Sequence, residues 1–362
     1  MKKIKALVMV LVFSLVMSIL AACGAEKVEI GIVLPTKDET RWVQDEERFL
    51  AAIKDSKYKS EVLFSQGSSA KELENVEALI NKGIKVLIIC PFDGDAAGNA
   101  VEKAKAAGVT VISYDRLITE TKAVDYYVTF DSVSVGAAQA QYLVDNASGQ
   151  VGQPLYLYAG AATDNNAFLF FEGAWNVLQP KIADGTFVVA NSSEAEALKD
   201  KDVLSREEMS KIIGQVTTNW DANEAKNKAQ THLTASNLKG DVLVLAPNDG
   251  TSRALSDVFA TDAAISSYVT SGQDADKASI QYIIDGKQSM TVLKDVRILV
   301  TDAIEMAMNI LDGKSVSTTG TYNNGEIDVP AKQTDVKTVD KTNVKALIVD
   351  SGYYEASEFT GL

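Results

Sequence analysis

The chain is poor in the residues that most often carry covalent or metal chemistry. Among 362 residues there are two cysteines and one histidine. Cys23 falls in an N-terminal leader, so Cys90 has no partner in the rest of the chain and an intramolecular disulfide is excluded. Buried cores must supply the stability instead. Cys90 lies inside an apolar run with nothing basic beside it, which reads as a small buried hydrophobe rather than a nucleophile. His232 sits in a helical stretch with no nucleophile pattern near it. No G-x-S-x-G, no H-E-x-x-H, no calcium-loop spacing and no phosphate-cradling glycine run occurs. No apolar run reaches the ~20 residues that a membrane span needs. Positive charge is in deficit too: 35 Lys and Arg face 49 Asp and Glu, and the net −14 disfavours nucleic acid and anionic lipid surfaces. No cofactor or metal is expected.

What is present is an ordinary packed α/β composition, with 46% hydrophobic, 23% charged and 7% aromatic residues. A chain of this length exceeds the roughly 250 to 300 residues at which one core stops growing, so two domains are expected. A repeat supports that division. VLIICPFDG at Val86 to Gly94 returns as VLVLAPNDG at Val242 to Gly250. Each copy is a β-branched apolar run, a proline, and an Asp-Gly turn opening a helical segment, the pattern of a buried parallel strand with a carboxylate at its C-terminal end. Each is followed by a helix and a further strand ending in an aspartate, Asp115 in one case and Asp274 in the other, at nearly the same offset. Two βαβ units of matching layout predict two similar lobes whose acidic strand ends face one cleft.

In chain order, strands are predicted at Val28 to Pro35, Lys59 to Ser65, Tyr126 to Phe130, Pro154 to Tyr158, Phe187 to Ala190 and Ser289 to Leu293. Helices are predicted over Asp45 to Ser56, Ala70 to Lys82, Ser132 to Asp145, Ala222 to Thr234, Thr251 to Phe259 and Val296 to Leu311. Thr36 to Trp42 reads as a polar loop, and Tyr322 to Val329 and Ala346 to Val349 return to strand character. The second lobe carries roughly 30 extra residues, placed at Ser192 to Asn219 and expected to be helical.

Met1 to Cys23 is a targeting segment, with Lys2, Lys3 and Lys5 before the apolar run Ala6 to Ile19. Its ending, Leu20-Ala21-Ala22-Cys23-Gly24, resembles the lipobox of bacterial lipoproteins, which implies acylation of the Cys23 thiol and an extracytoplasmic protein held to the membrane by a lipid anchor.

A wider resemblance runs from Glu29 to Tyr354. It is carried by Pro35-Thr36-Lys37 with Arg41-Trp42, Asp93-Gly94, Tyr114-Asp115-Arg116-Leu117, Thr129-Phe130-Asp131, and Asp164-Asn165-Asn166-Ala167-Phe168. Later in the chain it is carried by Trp220-Asp221, Asp249-Gly250, Gly272-Gln273-Asp274, Lys294-Asp295 and Gly352-Tyr353-Tyr354. Together these resemble the periplasmic-type sugar-binding proteins of ABC transporters, in the xylose-binding and multiple-sugar-binding branch. The resemblance implies a type I periplasmic binding protein fold: α/β, two Rossmann-like lobes with parallel sheets, joined by a three-strand hinge. It places the crossings near Thr129, Leu293 and Ile327. The N-terminal lobe is then residues 28–130 plus 294–326, and the C-terminal lobe 131–293 plus 327–362. The Ser192 to Asn219 segment and Asn248 depart from the family's usual pattern, which bears on the identity of the sugar.

The residues support the same chemistry independently. A pyranose offers hydroxyls that donate and accept, plus apolar C–H faces, so its site needs carboxylates and amides beside Arg or Lys, flanked by aromatic plates. Asp93, Asp115, Asp249 and Asp274 are the expected strand-end carboxylates. Lys37, Arg41, Arg116, Asn165, Asn166, Asn248 and Lys294 come from loops, and Trp42, Phe168 and Trp220 are the expected plates. Phe130 and Phe170 are assigned to the core. The expected partners are a monosaccharide of the xylose, glucose or galactose type and the permease subunits of an ABC transporter, with the protein itself a monomer. Two other readings stand beside this one, a sugar-sensing receptor for a chemotaxis or two-component system and a glycoside-acting enzyme. Against the enzyme, carboxylates paired with Arg and Lys have lowered pKa values, the opposite of what a general acid needs.

Overall fold

The computed structural model describes residues 28–362, so the leader and the expected lipidation at Cys23 lie outside the described residues. The chain opens with β1 (Ile30–Leu34), α1 (Thr40–Ile53), β2 (Ser60–Phe64), α2 (Ser69–Asn81), β3 (Val86–Ile89), α3 (Gly98–Ala106), β4 (Thr110–Tyr114) and β5 (Tyr126–Phe130). Every residue of β1 and β3 is buried, because helices cover both faces of a parallel sheet and leave no strand face for water. Cys90, just beyond β3, is a free thiol in this core, and burial pushes its pKa well up.

The chain then crosses to a second lobe through α4 (Ser132–Asp145), β6 (Gln153–Leu157), α5 (Asn165–Ala183), β7 (Phe187–Val189), α6 (Ser193–Ala197) and α7 (Arg206–Val216). The lobe continues with α8 (Ala222–Ala235), β8 (Gly240–Leu245), α9 (Asp249–Phe259), β9 (Ile265–Thr270), α10 (Lys277–Asp285) and β10 (Met290–Leu293). It returns with α11 (Val296–Leu311), which packs on α1, β3 and β5, and finishes with β11 (Gly320–Asn323), β12 (Asp328–Thr334) and β13 (Lys337–Asp340).

One sheet has the order β11-β12-β5-β4-β3-β1-β2 and the other β7-β6-β8-β9, with β10-β13 forming a separate antiparallel pair. Apart from the antiparallel β11–β12 edge, both large sheets are parallel, as the doubled βαβ pattern requires. The crossing expected near Ile327 falls later. β12 stays in the first sheet through Thr334, paired with Phe130 of β5, so the chain leaves that lobe only between Thr334 and Lys337. Ala346 to Val349, expected as a strand, is helical: Val344 and Ile348 are buried while Ala346, which a strand would turn to the same face, is exposed.

The Ser192 to Asn219 segment forms α6 and α7 and belongs to the second core. Leu204, Met209, Ile212, Ile213 and Val216 pack with Phe171 and Trp175 of α5, and Trp175 Nε1 donates to the Lys201 carbonyl at 2.9 Å. Helices α4 and α5 approach unusually closely. A Cβ at Gly136 would lie 1.8 Å from the Phe170 carbonyl oxygen, and one at Gly173 2.0 Å from that of Val133. This contact sets how far α5 reaches toward the cleft.

Glu72 of α2 is a buried carboxylate that forms no ion pair among the described residues, Arg116 acting on it only from a distance. Its Oε2 accepts from the Phe92 N–H at 2.9 Å and from Ser65 Oγ at 3.3 Å, while Oε1 has no partner. Burial pushes its pKa up to about 7, with the two hydrogen bonds opposing. Because the folded value lies above the unfolded one, the stability it contributes is full below about pH 4.5 and is lost as pH rises through 7. Glu72→Gln should therefore match the native protein near pH 4.5 and exceed it by up to about 3 kcal/mol at pH 8. Denaturant titrations at the two pH values check this, and a pH-independent difference would refute it.

Candidate functional site

The first lobe's half of the cleft is built on the start of α1 and the end of β4. Because α1 begins at Thr40, earlier than the sequence suggests, Arg41 and Trp42 occupy its first turn and face inward. Arg41 Nε donates to Asp45 Oδ2 at 2.6 Å, one helical turn on, and Nη2 donates to Asp115 Oδ2 at 2.9 Å. Tyr114 donates its hydroxyl to Asp45 as well. Asp115 follows β4 directly with a left-handed backbone, φ 61°, which turns its side chain out of the sheet into the cleft. Its backbone carbonyl accepts from Tyr127 Oη at 2.7 Å and, across the lobes, from Asn166 Nδ2 at 3.0 Å. Arg116 crosses the lobes too, with Nε 3.0 Å from Asp164 and Nη2 donating to Glu39 at 3.4 Å. The Trp42 ring lies beneath both guanidinium groups, 5.1 Å from Arg41 and 5.0 Å from Arg116.

The second lobe contributes Trp220, Asn248, Gln273 and Asp274. Trp220, φ 62°, packs edge-on to Phe170 with centroids 6.2 Å apart. Its ring lies against Gly160, where a Cβ would fall 2.0 Å from the indole, so only glycine fits there. Asn248 caps α9, its Oδ1 accepting from the Thr251 N–H at 3.2 Å. Asp274 has φ 104° and is followed by Ala275 at φ 51°. Lys294, at the second crossing, lies 2.9 Å from Asp274 and 3.9 Å from Asp115, above the rings of Phe130 and Phe170. Asp274 is also 3.6 Å from Arg41, so one carboxylate of the second lobe faces two cations.

These groups enclose a cavity of about 280 Å³. Four carboxylates and three cations line it, from Glu39, Asp115, Asp164 and Asp274 against Arg41, Arg116 and Lys294. Burial alone would raise the Asp115 pKa, but Lys294, Arg41 and Arg116 outweigh it and hold this carboxyl below the usual carboxylate range, so it is ionised. Asp45, Asp164 and Glu39 are pushed up by burial, against their arginine partners. Several buried polar atoms of the lining have no hydrogen-bond partner: Arg41 Nη1, Trp42 Nε1, Trp220 Nε1 and Gln273 Oε1. A buried unpaired donor or acceptor costs about 1–3 kcal/mol, so this set is complementary to a ligand that both donates and accepts.

Of the residues expected from sequence, Arg41, Trp42, Asp115, Arg116, Asn166, Trp220, Asn248, Asp274 and Lys294 line the cavity. Five do not. Lys37 is exposed and pairs with Glu46 at 2.9 Å, because the start of α1 carries it to the outer side. Asp93 Oδ1 accepts from the N–H groups of Asp95 and Ala96, both at 3.0 Å, and serves as a turn cap. Asn165 accepts from Arg206 at 2.6 Å, and Phe168 is buried in the second core beneath the same guanidinium, 3.3 Å from its ring. Asp249 lies in the first turn of α9, fully buried, where it accepts from the Asp276 N–H and from Gln288, both at 2.9 Å. Glu39, Asp164, Gln273 and Phe170 line the cavity without having been expected there; Phe170 is core as expected, packed with Val135, Met290 and Val292, and its ring also reaches the cavity.

Residues 30–315 match the family model described as the periplasmic binding protein domain. The chain belongs to the periplasmic binding protein family. This binding protein is 33% identical to the multiple sugar-binding periplasmic receptor ChvE of Rhizobium radiobacter over 99% of both chains. It is 32% identical to the D-xylose-binding periplasmic protein of Escherichia coli K12, over 98% of this chain and 99% of that one. Among solved structures, a carbohydrate transporter solute binding protein from Chloroflexus aurantiacus, in complex with D-glucose, is 67% identical with TM-score 0.91, covering 93% of this chain and all of that one. A solute binding protein from Clostridium phytofermentans with bound β-D-glucose is 31% identical with TM-score 0.79, covering 91% and 99%. The relatives are transport receptors, and this binding protein is not an enzyme.

Proposed function

We propose that the protein is an extracytoplasmic receptor that captures a single aldose ring, of the glucose or xylose type, between its lobes and hands it to an ABC sugar permease. The observation that carries this reading is the cavity itself: ion-paired carboxylates and amides between two indole rings, with unpartnered donors and acceptors of both lobes converging on one ring-sized space. The likeness to glucose complexes at 67% and 31% identity supports the choice of sugar. Asp115 and Arg41 hold the ligand from the first lobe, Asp274, Asn248 and Trp220 from the second, and Lys294 from the hinge. A ligand bridging both lobes favours the closed form by its differential contacts, so closure and binding are one equilibrium.

Titrating the purified protein with D-glucose, D-xylose, D-galactose and other aldoses, followed by tryptophan fluorescence and calorimetry, tests the assignment. Trp42 and Trp220 should respond to at least one sugar. Silence toward every aldopentose and aldohexose would end the sugar reading. Among the described residues no helix is long and apolar enough to cross a membrane, and attachment is proposed through acylation of Cys23. Cys23→Ala should move the protein out of the membrane fraction or block its processing, and normal processing with retained membrane association would refute the anchor.

A further inference from the structure

Outside the enclosed cavity the cleft continues as a second, larger space of about 1390 Å³ that opens to solvent. Glu39, Arg41, Trp220, Asn248 and Asp274 line both spaces, so side chains alone form the wall between them. The outer walls come from both lobes: Asp38, Gly67 and Phe92 on one side, Asn219, Asn223 and Arg253 on the other. This lining repeats the chemistry of the inner cavity, with carboxylate, amide and guanidinium groups beside an aromatic ring. Phe92 is only half-buried, and the role described for the inner site uses neither it nor Asn223. Two of the buried atoms without partners, Arg41 Nη1 and Trp220 Nε1, belong to residues shared by the two spaces. The outer space is several times larger than the inner one, which leaves room beside the inner cavity for a further ring.

We infer that this groove is a second sugar subsite: the protein takes glycosides and disaccharides, with one ring in the inner cavity and its O-linked neighbour between Phe92 and the Asn219–Asn223 turn. The inference rests on the sugar reading above and extends it from a free monosaccharide to a substituted one. The outer ring contacts both lobes, so it favours the closed form in the same way as the inner ring. Polar groups and one aromatic face at an open rim recognise a sugar with less discrimination than the ion-paired interior, so several linkages should be accepted.

The test is calorimetric titration of the native protein, Phe92→Ala and Asn223→Ala with D-glucose, D-xylose, their methyl glycosides, cellobiose, maltose and xylobiose. At least one disaccharide is expected to bind the native protein within about tenfold of its parent monosaccharide. Phe92→Ala should weaken that disaccharide about two- to tenfold, the worth of one aromatic contact, and leave the monosaccharide unchanged. Asn223→Ala should act in the same direction. If a monosaccharide binds while every glycoside and disaccharide fails, the second subsite is refuted and the monosaccharide receptor stands. If a disaccharide binds but both variants leave it unaffected, or weaken monosaccharide equally, the groove is not where its second ring sits and the inference is refuted. If no sugar of any kind binds, the sugar reading itself falls and the subsite with it.

Discussion

Arg41→Met is expected to lower the thermal midpoint of the ligand-free protein by roughly 6 to 20 °C and to abolish sugar binding. The guanidinium is buried between Asp45 and Asp115, and methionine replaces its volume but not its five donors. Breaking a buried ion pair by removing one partner costs about 3–5 kcal/mol, and each kcal/mol moves the midpoint of a domain of 150 to 250 residues by about 2–4 °C. Asp45 bears most of that cost, since it is fully buried and its pKa is already raised by burial with Arg41 present. In the variant that pKa rises further, so Asp45 takes up a proton on folding and the deficit shrinks as pH falls from 8 toward 5. Calorimetry of both proteins at the two pH values decides the matter. A ligand-free midpoint within about 2 °C of native at pH 8 would mean that Arg41 belongs to the ligand alone and not to the lobe.

Asp274→Asn should weaken the best monosaccharide by roughly ten- to a hundredfold and lower the ligand-free midpoint by less than Arg41→Met does. Without the Asp274 charge Lys294 keeps Asp115 at 3.9 Å, and Arg41 keeps both Asp45 and Asp115. A hydrogen bond to a charged group is worth about 1.5–3 kcal/mol, and 1.4 kcal/mol is tenfold in affinity. Asparagine is the informative replacement because Asp274 has φ 104°, a conformation that Asn tolerates and that alanine would strain. The loop around it is also held independently, by the Asp249 carboxylate on the Asp276 N–H. Only the charge facing Arg41 and Lys294 is then removed, and with it part of what draws the second lobe onto the first. Unchanged affinity would take Asp274 out of the site, and a collapsed midpoint without ligand would make it structural.

Much of the site was legible in sequence because open parallel sheets present residues just past their strand ends. Asp115, Arg116 and Asp274 follow that rule. The doubled Asp-Gly motif announced the two lobes, yet neither of its aspartates reaches the cavity. In the second copy Asn248 takes the cap of α9, and Asp249 turns back under the loop. In the first, Asp93 spends its oxygen on the N–H groups of its own turn. In the second copy the residue that lines the cavity is the one before the aspartate, Asn248, a shift of one position that depends on where a helix begins. Glu39 was missed for the same reason, since α1 starts inside what reads as a polar loop. Phe170 was missed because an aromatic in an apolar helix reads as core. Only the glycine-mediated approach of α4 to α5 brings it beside Trp220, and no local pattern encodes that meeting of two helices. The late departure of the chain after β12 was hidden because a hinge strand and an interior strand have the same apolar composition.

Asp115, Trp220 and Asp274, three of the cavity's walls, all stand on left-handed backbone. That narrows how the receptor can be retuned toward another ligand. At these three positions most replacements would have to overcome backbone strain of order 1–3 kcal/mol before touching any sugar, so a library spread evenly over the cavity would waste its diversity on misfolded loops. Phe170 on α5 and Gln273 have no such penalty, whereas Asn166 bonds across the lobes and Asn248 caps α9. Variation confined to Phe170 and Gln273 should change which sugar is held while the ionic frame and the closing motion stay intact, the property wanted of a reagentless sensor scaffold.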